Sequence, residues 1–240
     1  MTANRFRLYG AGNFEIAPLF LLFAAAALIF VAGKIASELM EGDLGGFDRA
    51  ILMSMRVAGE PSKALGPLWL QVAARDVTSL GSPAVLTLIT IASLGFLAMQ
   101  RNWNSAIFLL VSVAGGTVIS DTIKMLMKRP RPDFVADVAQ MQTFSFPSGH
   151  AFLSAVTFLT LGVLLARSQQ SSGLKIYVMT AAILLALLVG LSRLYLGVHW
   201  PTDVLAGWCL GAAWAIVCWS VAALIERRQK PSGSGNAPIS

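Results

Sequence analysis

The chain has 240 residues, of which 56% are hydrophobic and 12% charged, with a mean hydropathy of +0.69. These proportions exclude an ordinary soluble domain, because apolar runs of near-bilayer length recur along the sequence instead of forming one anchor. The formal charge of +6 and pI near 9.7 do not signal a nucleic-acid surface, since the basic residues sit at the ends of apolar runs and in one short cluster.

In chain order, the apolar runs predict an all-α polytopic membrane protein with six transmembrane helices, at residues 17–36, Pro83–Met99, 105–120, 151–166, 176–191 and 204–225. They are helices because a lone strand cannot satisfy its backbone groups in lipid. Residues 1–230 read as a single membrane domain, and the small, polar tail at 231–240 is expected to be disordered. Arg5 and Arg7 before the first run would also suit a secretory signal, but the spans that follow favour a retained first helix. Lysine and arginine are weakly biased towards cytoplasmic termini, which gives an expected N-in, C-in orientation.

The longest polar stretch is 38–82, between the first two spans. Phe47, Ile51, Leu52 and Met55 recur there at helical spacing, which predicts an amphipathic helix packed onto the bundle, among short interfacial helices expected between spans one and two. Ser82 before Pro83 has the form of an N-cap and first-turn proline. Cys209 and Cys218 are nine positions apart in one run, a separation of roughly 13 Å along a helix, so they cannot bond to each other and are read as packing residues. No Cys/His cluster has zinc-ligand spacing.

Three polar blocks interrupt the apolar pattern: Lys124 to Pro132, Pro147-Ser148-Gly149-His150, and Ser192 to Asp203. Counting spans puts all three on one membrane face. Lys124, Arg131 and Arg193 supply cationic donors for phosphate oxygens. Ser148 and Gly149 precede a helix whose first N–H groups favour an anion. Both histidines of the chain, His150 and His199, fall in these blocks, and Asp203 follows His199 by four residues near the first turn of the last span. Two imidazoles on one face can divide nucleophilic and acid–base roles, and a carboxylate can fix a ring tautomer. Lys128 and Arg129, taken singly, are read as snorkelling to lipid headgroups.

The blocks resemble the signature of the type 2 phosphatidic acid phosphatase (PAP2) family, K-x6-R-P, P-S-G-H and S-R-x5-H-x3-D, at every fixed position and in order. Arg129-Pro130 repeats as Arg131-Pro132, but only Arg131 keeps the six-residue gap from Lys124. The resemblance implies a lipid phosphatase in which His199 forms a phosphohistidine oriented by Asp203. His150 would protonate the leaving oxygen, and Lys124, Arg131, Ser148, Gly149 and Arg193 would bind phosphate. No metal or other cofactor would be needed. The partners would be the bilayer and a phosphorylated lipid of the undecaprenyl pyrophosphate, phosphatidylglycerol phosphate or phosphatidate class. Its bacterial members imply an inner-membrane protein whose site faces the periplasm. Phosphotransfer to another acceptor and non-catalytic lipid-phosphate binding or transport are the alternatives. Vanadium haloperoxidases share the signature, which a membrane bundle makes remote. Residues 133–146 and 38–82 are the expected sources of substrate selectivity.

Overall fold

A computed structural model describes residues 16–134 and 143–228, so the tail at 231–240, Arg5, Arg7 and part of the 133–146 stretch lie outside the described residues. Helix α1 (Ile16–Glu41) is followed by α2 (Gly45–Ser54), a ribbon of β1 (Arg56–Val57) and β2 (Glu60–Ala64), and α3 (Leu68–Ser79). Then come α4 (Pro83–Met99), α5 (Trp103–Met127), α6 (Gly149–Ser168), α7 (Ser172–Tyr195) and α8 (Pro201–Arg228).

Five of these helices, α1, α5, α6, α7 and α8, are long and apolar enough to cross a membrane. The 17 residues of α4 rise roughly 25 Å at 1.5 Å per residue, short of a hydrocarbon core of about 30 Å. α3 and α4 pass the same test only together, as a pair bent by 45°. The chain is therefore an integral membrane protein with five such spans among the described residues, or six when the bent pair counts as one, the number read from the sequence. Ser82 caps α4 as expected, accepting from Val85 N at 3.3 Å, with Pro83 in the first turn.

The stretch between α1 and α4 holds more than the sequence suggested. The predicted interfacial helix is α2, which buries Asp48 and Leu52. The antiparallel ribbon was not anticipated; α3 is a second short helix in this stretch. Gly59 turns the ribbon at φ 83°, a conformation open to glycine without a Cβ clash. Leu68, Trp69 and Val72 of α3 are exposed, as suits a helix seated at the membrane surface. Arg56 is buried and donates to the carbonyls of Leu194 (3.2 Å) and Tyr195 (2.8 Å), which end α7. Tyr195 Oη donates to Leu65 O at 2.7 Å. These bonds clamp the ribbon onto the end of α7 and satisfy carbonyls that a helix terminus leaves unpaired.

Helix α6 lies at the centre, packed by α5, α7 and α8. Small residues let the backbones approach, the usual route to tight helix packing where lipid removes the hydrophobic drive. A Cβ at Gly207 would lie 2.8 Å from Ser148 O, and one at Gly211 would lie 2.5 Å from Phe152 O. This pair therefore packs within the bundle, between α8 and α6. Gly190 similarly admits the indole of Trp208, whose Nε1 donates to Ala186 O at 2.9 Å. Cys209 packs with Ala32, Ile35 and Phe146, and Cys218 with Phe108, Leu109 and Leu164; both are free and buried.

Because Gly211 has no room for a methyl group, Gly211→Ala should cost about 1–3 kcal/mol by overpacking and lower the thermal midpoint in detergent. Gly95→Ala, at a helical position with nothing within 4 Å, should not lower the midpoint, since alanine is the better helix former.

Candidate active site

The three polar blocks meet at one end of the bundle, where α5 and α7 finish and α6 and α8 begin. Lys124 lies in the last turn of α5, which Lys128 closes in the left-handed conformation at φ 46°. The prolines that follow cannot continue a helix. The chain returns through Ser145, whose N–H donates to Arg129 O at 2.8 Å. Ser148 is the N-cap of α6 and makes no side-chain capping bond, so the first amides of α6 keep no partner within the helix. A Cβ on Gly149 would lie 3.2 Å from Lys124 Nζ. Glycine thus lets the lysine reach the start of α6.

Helix α8 starts at Pro201 with Asp203 in its first turn. The Trp200 N–H donates to Asp203 Oδ2 at 3.0 Å, which is half of a capping box. Ser148 N donates to Asp203 O at 3.0 Å, tying the start of α6 to that turn.

His199 is fully buried, and its two nitrogens meet different partners. Arg131 Nη1 lies 2.9 Å from Nε2; a guanidinium can only donate, so Nε2 carries the lone pair. Nδ1 lies 3.3 Å from Ser145 Oγ and 3.5 Å from Asp203 Oδ2. Ser145 Oγ donates to Asp203 Oδ2 in a short bond, which leaves its oxygen free to accept from Nδ1–H. The network thus assigns the Nδ1–H tautomer. Burial, then the cations Arg131, Arg193 and Lys124, hold the His199 pKa well below the ordinary imidazole value, against a hydrogen bond at Ser145 that raises it.

Arg131 also donates through Nε to Thr143 O (2.9 Å), through Nη2 to Thr143 Oγ1 (2.9 Å) and through Nη1 to Val198 O (2.8 Å). Arg193 Nη1 donates to Thr78 Oγ1 of α3 at 3.1 Å, while its Nε and Ser148 Oγ are buried with no hydrogen-bond partner. His150 is within electrostatic reach of Arg193, His199, Lys124 and Arg131. Among the described residues, no three His, Cys, Asp or Glu side chains come together as metal ligands would. All of Lys124, Arg131, Ser148, Gly149, His150, Arg193, His199 and Asp203 therefore lie in one neighbourhood.

One reading from the sequence is overturned. Arg129 does not snorkel: its side chain is mostly buried, and its guanidinium bridges Asp48 and Asp203 at 2.6 Å each. Two buried carboxylates out-compete lipid headgroups for it. Sequence reasoning also missed Ser145, Asp48, Thr202 and Thr78. Ser145 sits three residues before Ser148 and offered a local hint, whereas Asp48 and Thr78 lie in the polar stretch and carry no motif.

The profile described as the PAP2 superfamily matches residues 105–226. Over 145 residues the chain is 36% identical to phosphatidylglycerophosphatase B of Bacillus subtilis, covering 60% of this chain and 70% of that one. It is 34% identical over 121 residues to an undecaprenyl-diphosphatase of Sulfolobus acidocaldarius, covering 48% and 54% respectively. A decaprenylphosphoryl-5-phosphoribose phosphatase of Mycobacterium tuberculosis is 33% identical over 166 residues, covering 65% and 83%. In fold, the crystal structure of a transmembrane PAP2 type phosphatidylglycerolphosphate phosphatase from Bacillus subtilis superposes with a TM-score of 0.75 at 24% identity. The match spans 88% of this chain and 100% of that one. The signature blocks all fall inside residues 105–226, about half of the chain, and the chain belongs to the PAP2 superfamily.

Proposed function

We propose that this chain is a membrane lipid phosphatase acting through a phosphohistidine on His199. The observation that carries the reading is the buried imidazole and the partners of its two nitrogens. Its Nδ1 is turned to Ser145 and Asp203, and its Nε2 lone pair is turned to the cations. A phosphate ester offers Arg131 Nη1 charged oxygens, a stronger acceptor than a neutral ring nitrogen. Its arrival would draw the guanidinium off Nε2 and free the lone pair.

Nε2 then attacks phosphorus in line with the lipid–oxygen bond. The N–P bond forms as the P–O bond breaks, and His150 gives a proton to the departing oxygen. The imidazolium that develops is stabilised by Asp203, directly and through Ser145. In the second step His150 takes a proton from water, the resulting hydroxide attacks phosphorus, and the N–P bond breaks to release inorganic phosphate. Lys124, Arg131, Arg193 and the amides starting α6 oppose the charge on the equatorial oxygens, which is the work required of a phosphoryl-transfer site. Ser148 Oγ and Arg193 Nε, buried without partners, add donors there. These cations support a metal-independent hydrolase.

The substrate is proposed to be a lipid phosphate or diphosphate of the undecaprenyl, phosphatidylglycerol phosphate or phosphatidate class. The membrane spans support it, as do relatives whose names specify such lipids. The proposed setting is a bacterial inner membrane with the site on the periplasmic side and both termini cytoplasmic. A binder or transporter would use the cations but has no need of a second histidine or of the Ser145–Asp203 support behind His199.

Phosphate release from phosphatidate, phosphatidylglycerol phosphate and undecaprenyl diphosphate in detergent tests the assignment. Turnover should persist in excess chelator and be lost in His199→Ala; near-normal turnover by that variant would contradict the reading, as would chelator inhibition reversed by magnesium. The depressed His199 pKa fixes a sign for the pH dependence. The nucleophile must be deprotonated, so the acid limb of kcat/KM assigned to it should lie well below pH 6.5. Ser145→Ala removes a buried hydrogen bond worth about 1–3 kcal/mol, so kcat should fall roughly 5- to 160-fold. An unchanged kcat would remove Ser145 from the support of His199.

A further inference from the structure

Asp48 is fully buried, although it lies on α2 and outside every signature block. Its Oδ1 accepts from Thr202 N at 2.9 Å; its Oδ2 accepts from Thr202 Oγ1 and from Arg129 Nη2, each at 2.6 Å. The other edge of the same guanidinium donates through Nη1 to Asp203 Oδ1 at 2.6 Å and to Thr202 Oγ1 at 2.8 Å. Its carbon lies 5.6 Å from the centre of the Trp200 ring, and the indole is held by Nε1 donating to Pro130 O at 3.1 Å. Arg129 is thereby fixed on both edges and against one face.

We propose that Arg129 and Asp48 are positioning residues for the phosphoryl-transfer histidine: Arg129 locks the carboxylate of Asp203, and Asp48 locks Arg129. The proposal rests on the reading that His199 attacks phosphorus. Asp203 uses Oδ2 for Ser145 and the Trp200 N–H, behind His199, and Oδ1 for Arg129. Removing the Oδ1 partner leaves a buried charge short of a donor and lets the carboxylate rotate away from Ser145 and the ring.

Asp48 is needed because Arg129 stands beside a phosphate pocket. A guanidinium with a free edge would turn to the substrate's oxygens and abandon Asp203. With Asp48 on one edge and Asp203 on the other, the cation stays out of phosphate binding. Arg129 and Arg131, two residues apart in a repeated Arg-Pro unit, thus divide the work: Arg131 faces Nε2 and Arg129 faces the carboxylate behind the ring.

Kinetics of the full-length protein in detergent, with phosphatidate in mixed micelles, separate this from a purely structural role. Asp48→Asn is the first variant, because an amide oxygen can still accept from the Thr202 N–H while the charge facing Arg129 is lost. Its kcat should fall about tenfold or more with KM within about twofold, the pattern of a lost transition-state interaction. In an Asp203→Asn background the same change should cost no more than about twofold, because the route to His199 is already cut. Arg129→Lys, which keeps the charge but not the two-edged fork, should behave alike and serves where Asp48→Asn does not give a folded, monodisperse protein.

Wild-type kcat in both variants, a loss confined to KM, or losses that multiply fully with Asp203→Asn would each overturn the proposal. His199→Ala in the same assay keeps the two questions apart. If it is inactive while Asp48→Asn and Arg129→Lys turn over normally, only the positioning role falls. If it turns over, the nucleophile assignment falls and takes the positioning role with it.

Discussion

Asp203 has no contact with water, and a buried carboxylate persists only where protein donors replace its hydration. The donors come from separate parts of the chain: Arg129 after α5, Ser145 before α6, and the Trp200 amide at the start of α8. Satisfying this one group draws together the segments that carry the signature blocks. The carbonyl of the same residue receives Ser148 N, so the start of α6 is set against the first turn of α8. The geometry around His199 follows from how that charge is buried.

The helices supply the rigidity that this arrangement needs. Glycines 207 and 211 bring α8 against α6 at backbone distance, so the two helix starts cannot slide apart without opening a void. At the same end, the segment from α2 to α3 acts as a brace: Arg56 holds the last carbonyls of α7, Thr78 holds Arg193, and Asp48 holds Arg129 and Thr202. The exposed Leu68, Trp69 and Val72 on α3 give this brace an apolar face suited to the membrane surface.

Much of this was legible in the sequence, for reasons that particular residues show. Span positions followed from apolar runs, since lipid leaves helices as the only lone spanning element. Ends were read short: α5 was expected at 105–120 and runs Trp103–Met127, because Asp121 and Lys124 are polar but still helical. The signature residues were legible because their spacing is local to each block. Asp48 was not, since its partners lie 81 and 154 positions away and nothing periodic marks it. Arg129 was misread for the complementary reason: a lone arginine at a span end does resemble a headgroup anchor until a buried carboxylate is placed beside it. The ribbon escaped notice because Glu60–Ala64 shows almost no burial alternation, the usual signal of a strand.

The proposed mechanism requires Nε2 of His199 to take the phosphoryl group. Rapid-quench labelling with a radiophosphorylated lipid, followed by peptide mapping under alkaline conditions, tests it most directly. An acid-labile, alkali-stable phosphoramidate should form on the peptide carrying His199 within a single turnover. An acid-stable ester on Ser145 or Ser148, or a label on His150, would contradict it.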